Sequence, residues 1–202
     1  MFTGTGTALI TPFDKSGCID EEALRRLVDC QEGNGVDFLV PCGSTGESAT
    51  MDHDEHLRVI EIVVDQAKKA KVMAGAGSNC TREAVSLSKS AQDVGADGIL
   101  SISPYYVKPT QEGIYQHYAA IAAAVDIPTM IYNVPGRTGS NITPDTLMRL
   151  AEVDGIVGVK EASGNISQIQ EIIACRPKGF EILSGDDALT LSLMSLGADG
   201  VI

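Results

Sequence analysis

Short apolar runs alternate with amphipathic stretches from one end of the chain to the other, and no Ser/Pro-rich linker or low-complexity segment interrupts them. The runs fall at residues 7–11, 36–41, 72–74, 98–102, 128–132, 156–160, 180–183 and 200–202. Their shortness and aliphatic content predict strands with both faces buried. Between them, residues 21–30, 56–69, 83–94, 111–125, 146–151, 166–174 and 188–196 repeat their apolar positions with helical period. Start signals agree. Asp20 precedes Glu21 and Glu22, Asp52 precedes Glu55 by three residues, and Thr143-Pro144 places proline at a first helical position. Gly33, Gly95 and Gly197 mark stops, and Gly95-Ala96-Asp97-Gly98 is almost repeated by Gly197-Ala198-Asp199-Gly200.

Strict strand–helix order makes the strands parallel and the crossovers right-handed, so a closed (β/α)8 TIM barrel is favoured over an open doubly wound sheet. Such a barrel takes about 250 residues. This chain has 202 and stops inside its eighth strand with no eighth helix following. The expectation is one domain over residues 1–202, a barrel truncated within the eighth strand, which is either a fragment or not closed as it stands.

Composition narrows the function classes. Lys plus Arg number 15 against 27 Asp plus Glu, a formal net charge of −12, and that sign repels phosphate backbones and anionic headgroups. No nucleic-acid or membrane partner is expected. With no Trp and 4% aromatic residues, the core is aliphatic and stacking platforms are scarce. No apolar run approaches the roughly 20 residues of a membrane span, and the start of the chain lacks a secretory signal. The five cysteines, Cys18, Cys30, Cys42, Cys80 and Cys175, form no C-x-x-C pair. They read as reduced thiols of a cytoplasmic protein.

In a parallel barrel, chemistry gathers at the C-terminal ends of the strands. Lys160 ends the run 156–160, where alternation puts Val157 and Val159 toward the helices and Ile156, Gly158 and Lys160 toward the axis. A buried lysine loses charge and can attack a carbonyl to form a Schiff base. The competing reading is an exposed lysine just past a strand, or one in a salt bridge with Glu161 or another carboxylate. Tyr132 ends the preceding run and could shuttle protons beside Lys160, or merely bond to backbone at the rim. Ser44 and Thr45, in Gly43-Ser44-Thr45-Gly46-Glu47, offer hydroxyls or form a plain glycine-rich turn. Arg137 can hold a carboxylate bidentately or sit in a surface salt bridge. His53 and His56, three apart, do not complete a metal motif, and no dinucleotide or Walker loop is present. No metal and no organic cofactor is expected.

Together, Gly43-Ser44-Thr45-Gly46-Glu47, Tyr132-Asn133-Val134-Pro135-Gly136-Arg137-Thr138-Gly139 and Gly158-Val159-Lys160-Glu161-Ala162 resemble the pyruvate-dependent class I aldolase family, in register from Phe2 to Ile202. The resemblance implies that Lys160 forms a Schiff base with pyruvate, whose enamine adds to the aldehyde of L-aspartate 4-semialdehyde, at the first committed step toward diaminopimelate and lysine. It implies that Tyr132, Ser44 and Tyr106 form a proton relay, with Tyr106 supplied by a neighbouring subunit of a homotetramer built as a dimer of dimers. Thr45 would bind the pyruvate carboxylate and Arg137 the semialdehyde carboxylate, with Gly185 and Ile202 approaching through backbone. Ser48, Ala49, His53, His56, Asn79, Glu83 and Tyr105 match a feedback site for L-lysine. Family members continue through further C-terminal helices. The alternatives are another pyruvate aldolase, such as one cleaving sialic acid (N-acetylneuraminate lyase), where serine at position 44 is common, and a catalytically silent fragment.

Overall fold

The computed structural model describes residues 2–202. Over these residues the strands β1 (Gly4–Ala8), β2 (Phe38–Val40), β3 (Lys71–Gly75), β4 (Gly98–Ile102), β5 (Thr129–Asn133), β6 (Ile156–Glu161), β7 (Glu181–Ser184) and β8 (Gly200–Val201) run parallel and close into a barrel in sequence order. The intervening helices are α1 (Glu21–Gly33), α2 (His53–Gln66), α3 (Thr81–Asp93), α4 (Gln111–Ala122), α5 (Pro135–Thr138), α6 (Pro144–Leu150), α7 (Ile166–Cys175) and α8 (Thr190–Leu196). The unclosed barrel allowed by the sequence is thereby corrected. The two residues of β8 suffice, because Gly200 and Val201 pair with Gly4 and Thr5 of β1 on one side and with Leu183 and Ser184 of β7 on the other.

The local signals explain most boundaries. Asp20 accepts from the Ala23 N–H to cap α1. Asp52 and Glu55 form a reciprocal capping box on α2, at 2.8 and 3.0 Å. Proline occupies the start of α6. The near-repeat is a structural device: Asp97 and Asp199 each accept from the backbone of the preceding strand, from the N–H of Val72 and of Ile182, both at 2.8 Å. Asp37 does the same for Thr5. Gly33 is the last residue of α1, and the left-handed turn follows at Gly35, where φ is 82°.

Apolar side chains separate into layers. Phe2, Phe38, Val40, Met73, Leu100, Met130 and Leu183 fill the barrel. Two outer clusters pack the helices onto the strands, one built on Leu24, Val28, Val59 and Val63, the other on Ile114, Tyr118, Leu147 and Ile169. The first strand begins earlier than its apolar run, at Gly4, and its Gly6 lies where any Cβ would meet the Phe38 ring at 2.2 Å. The expected alternation along β6 also needs correction. Thr129 pairs with Ile156 but Met130 pairs with Gly158, so Val157 is an extra residue at a bulge. Ile156 therefore joins the outer layer, Val157 packs against the inner cluster, and the alternation resumes correctly at Val159 and Lys160.

Candidate active site

Strand β6 delivers Lys160 into the barrel at its C-terminal end, where the side chain is only 7% exposed. The register of β5 against β6 places Tyr132 directly beside it, and the Lys160 Nζ stands 4.5 Å from the centre of the Tyr132 ring. Burial lowers the lysine pKa from 10.5 to about 8, with the Asp187 carboxylate opposing the shift and the Arg137 guanidinium adding to it. At pH 7 roughly one lysine in ten is then neutral, against about one in three thousand for an ordinary side chain. Burial pushes the Tyr132 phenol up, partly offset by the Arg137 charge and by the Ser44 hydroxyl, so the tyrosine keeps its proton available for transfer. Space for Lys160 depends on Gly185, where a Cβ would stand 2.7 Å from the lysine Cε.

A cavity of about 740 Å³ opens above the lysine. Lys160, Tyr132, Ser44, Thr45, Arg137, Gly185 and Ile202 all line it, as do Asp186 and Asp187. The Ser44–Thr45 turn is held by Thr11, whose hydroxyl donates to the Gly46 carbonyl at 2.7 Å. Arg137 lies on the short helix α5, which the periodicity did not predict, and among the described residues its guanidinium forms no ion pair. The salt-bridge reading of Arg137 is set aside. Pairing of Lys160 with Glu161 is overturned as well, since Glu161 faces the other side of the strand and accepts from Asn133 and from the Ser163 N–H. Tyr106 is not in this cavity. It is 87% exposed, with φ of 70° and its N–H donating to the Thr138 carbonyl.

A second cavity of about 490 Å³ shares Gly43, Ser44, Leu100, Tyr132 and Arg137 with the first. Ser48, Ala49, His53, His56, Glu83 and Tyr105 line it. Asn79 does not, although its side chain donates to the Tyr105 carbonyl at 3.2 Å. Glu83 accepts from Ser78 and, at 2.8 Å, from His53 Nε2, and these bonds hold its carboxyl below the usual range. His56 donates to the Gly75 carbonyl at 2.7 Å, and burial lowers its pKa. Among the described residues no group of three or more His, Cys, Asp or Glu is placed to hold a metal ion. Nor is any helix there long and apolar enough to cross a membrane.

The model of the dihydrodipicolinate synthetase family matches residues 1–202. The chain belongs to that family. A relative from Chloroherpeton thalassium, 4-hydroxy-tetrahydrodipicolinate synthase, is 56% identical over 99% of this chain and 67% of its own length. The dihydrodipicolinate synthase of Acinetobacter baumannii, solved in complex with pyruvate, superposes with a TM-score of 0.97 at 45% identity, covering 100% of this chain and 70% of that one. The enzyme of Cyanidioschyzon merolae, solved with lysine bound, gives 0.97 at 44%, covering 100% and 69%. Like its family, the chain is a lyase of the class I aldolase type on a TIM barrel.

The residues missed from sequence are those whose role depends on three-dimensional proximity. Asp187 was hidden in a polar loop, and nothing in Gly185-Asp186-Asp187 told which carboxylate faces the lysine. The Asn133–Glu161 pair was masked by its neighbours, since Asn133 follows Tyr132, Glu161 follows Lys160, and each reads as a strand-end polar group.

Proposed function

We propose that this chain condenses pyruvate with L-aspartate 4-semialdehyde to give 4-hydroxy-tetrahydrodipicolinate, with Lys160 as the Schiff-base nucleophile. The observation that carries the reading is a lysine 7% exposed, its pKa lowered to about 8, facing a tyrosine across 4.5 Å at the mouth of the barrel. The neutral Nζ adds to the ketone carbon of pyruvate, and the carbinolamine loses water to give the imine. Tyr132 protonates the departing oxygen, with Ser44 beside it to pass the proton on. Loss of a methyl proton gives the enamine, whose carbon attacks the aldehyde; cyclisation through the semialdehyde amine releases Lys160. Thr45 and the adjoining turn take the pyruvate carboxylate, and Arg137, without an ion pair among the described residues, takes the semialdehyde carboxylate. Gly185 and Ile202 close the wall through backbone.

No metal or organic cofactor enters this scheme. Tyr106 completes the relay from a second copy, which its exposure allows and which fits the dimer-of-dimers homotetramer. The second cavity takes L-lysine as a feedback inhibitor: Glu83 and His53 suit its amino groups and carboxylate, with His56, Ser48, Ala49, Asn79 and Tyr105 completing the wall. All five cysteines are free, which suits a reducing cytoplasm. The name carried by the relatives favours condensation over the sialic-acid cleavage weighed from the sequence. The test is product analysis. Incubation with pyruvate and L-aspartate 4-semialdehyde should yield the cyclic product, and turnover of sialic acid in its place would overturn the assignment.

A further inference from the structure

Each of the two reacting side chains is followed in the chain by a buried polar residue that the scheme above does not use. Asn133 follows Tyr132 on β5, Glu161 follows Lys160 on β6, and the two stand opposite each other in register. Both are 0% exposed. Strand alternation turns them away from the cavity that Lys160 and Tyr132 face, and neither lines it.

Their hydrogen bonds form a connected set. Asn133 Nδ2 donates to the two oxygens of Glu161 at 3.1 and 3.3 Å, and the Ser163 N–H donates to the same carboxyl at 2.7 Å. Asn133 Nδ2 also donates to Asn141 Oδ1 at 3.0 Å, and Asn133 Oδ1 accepts from the Ile142 N–H at 3.1 Å. Asn141 is in turn bonded to Gln168 of α7 in both directions, at 2.7 and 3.2 Å. The set thus ties the end of β5 to the end of β6. It also pins the far end of the segment that leaves Tyr132, carries Arg137 on α5 and returns at Asn141.

Stability alone does not account for this arrangement. Taking a carboxyl fully out of water is costly even when it is hydrogen-bonded, and burial pushes the Glu161 carboxyl up. What the arrangement supplies is geometry. The final backbone bond between the two strands, from the Ala162 N–H to the Asn133 carbonyl at 2.9 Å, lies one residue past the reacting pair. Side-chain bonds between Asn133 and Glu161, at the same rung, keep the strand ends from fraying where the amine and the phenol must stay aligned.

We propose that Asn133 and Glu161 are positioning residues, which act from behind the sheet to set the Lys160–Tyr132 alignment and to anchor the Arg137 segment. This rests on the reading of Lys160 as the nucleophile, and the test separates the two. Asn133→Asp sets carboxyl against carboxyl, and Glu161→Gln sets an amide donor against the donors of Asn133 or Ser163. The double variant turns the pair around and puts a donor opposite an acceptor again. Glu161→Asp keeps the carboxyl and its acceptors but withdraws them by one methylene, and serves where a single variant does not fold.

The readout is the rate of borohydride-trappable pyruvate adduct, measured against pyruvate concentration on protein shown to unfold cooperatively. Each single variant should lower the saturated rate by about tenfold, with the half-saturating pyruvate concentration changed less than about threefold, and the double variant should recover most of the loss. Folded single variants, or Glu161→Asp, with wild-type rates would overturn the proposal. So would a double variant no better than the singles, which would mean that the pair serves packing alone. If wild-type protein formed no adduct, the nucleophile reading would fall and this inference with it.

Discussion

Replacing Lys160 by methionine keeps an unbranched stem and removes the amine, so it isolates what the folded protein gives up to hold that group. In the unfolded chain the amine titrates near its ordinary value of 10.5; in the folded protein burial brings it to about 8. Between those values the unfolded chain binds a proton that the folded one does not, so the lysine makes stability rise with pH across that window. Below about pH 8 both states carry the charge, and the folded state bears the full burden. At about 1.4 kcal/mol per pH unit, the difference between 10.5 and about 8 amounts to about 3 kcal/mol. Lys160→Met is therefore expected to stabilise the protein by about 3 kcal/mol at pH 7 while abolishing adduct formation. Urea titration should show its midpoint about 1 M or more above wild type at pH 7. The gap should shrink toward zero as the pH passes 10.5. A variant no more stable than wild type at pH 7, or a gap equally large at both ends of the window, would show that burial does not set the cost of the Lys160 charge.

Three further outcomes follow from particular contacts. Gly185→Ala forces a Cβ to within 2.7 Å of the Lys160 Cε, so the rate of adduct formation should fall by about tenfold or more while the chain stays folded; a wild-type rate would show that the lysine is not confined there. Asp52→Ala removes the capping box of α2 and should cost about 1 kcal/mol, lowering Tm by about 2–4 °C in a thermal melt with the catalytic rate unaffected at 25 °C. L-lysine at about millimolar concentration should inhibit condensation, and Glu83→Gln should weaken that inhibition by about tenfold, because a charged hydrogen-bonding partner is lost from the second cavity; turnover indifferent to lysine would remove the regulatory reading.

The barrel was legible because its strands are short aliphatic runs separated by capped helices, and both signals are local. Asp20, Asp52 and Pro144 behaved as their sequence contexts require. Lys160 and Tyr132 could be placed on the same face of neighbouring strands because alternation holds over the last few residues of each. It failed at Ile156 and Val157, since a bulge is a two-strand event and leaves no mark on one strand alone. The start of β1 was hidden because glycine at position 6 is demanded by the Phe38 ring, a contact 32 residues away in the chain. The helix α5 is too short for periodicity to register, although Pro135 at its start was visible. Closure by two residues was beyond a length argument, because the pairing of Gly200 and Val201 with β1 needs only that the strand tilt bring them there. The burial of Glu161 was unreadable for a different reason: its partners, Asn133 and Ser163, satisfy a carboxyl that by itself looks solvent-bound.

Intact mass after incubation with pyruvate and borohydride, run beside Lys160→Ala, asks whether the Lys160 amine forms the Schiff base. One reduced-pyruvate adduct per chain, absent from the variant, is expected. A folded chain that stays unmodified, or an adduct that persists without Lys160, would contradict it.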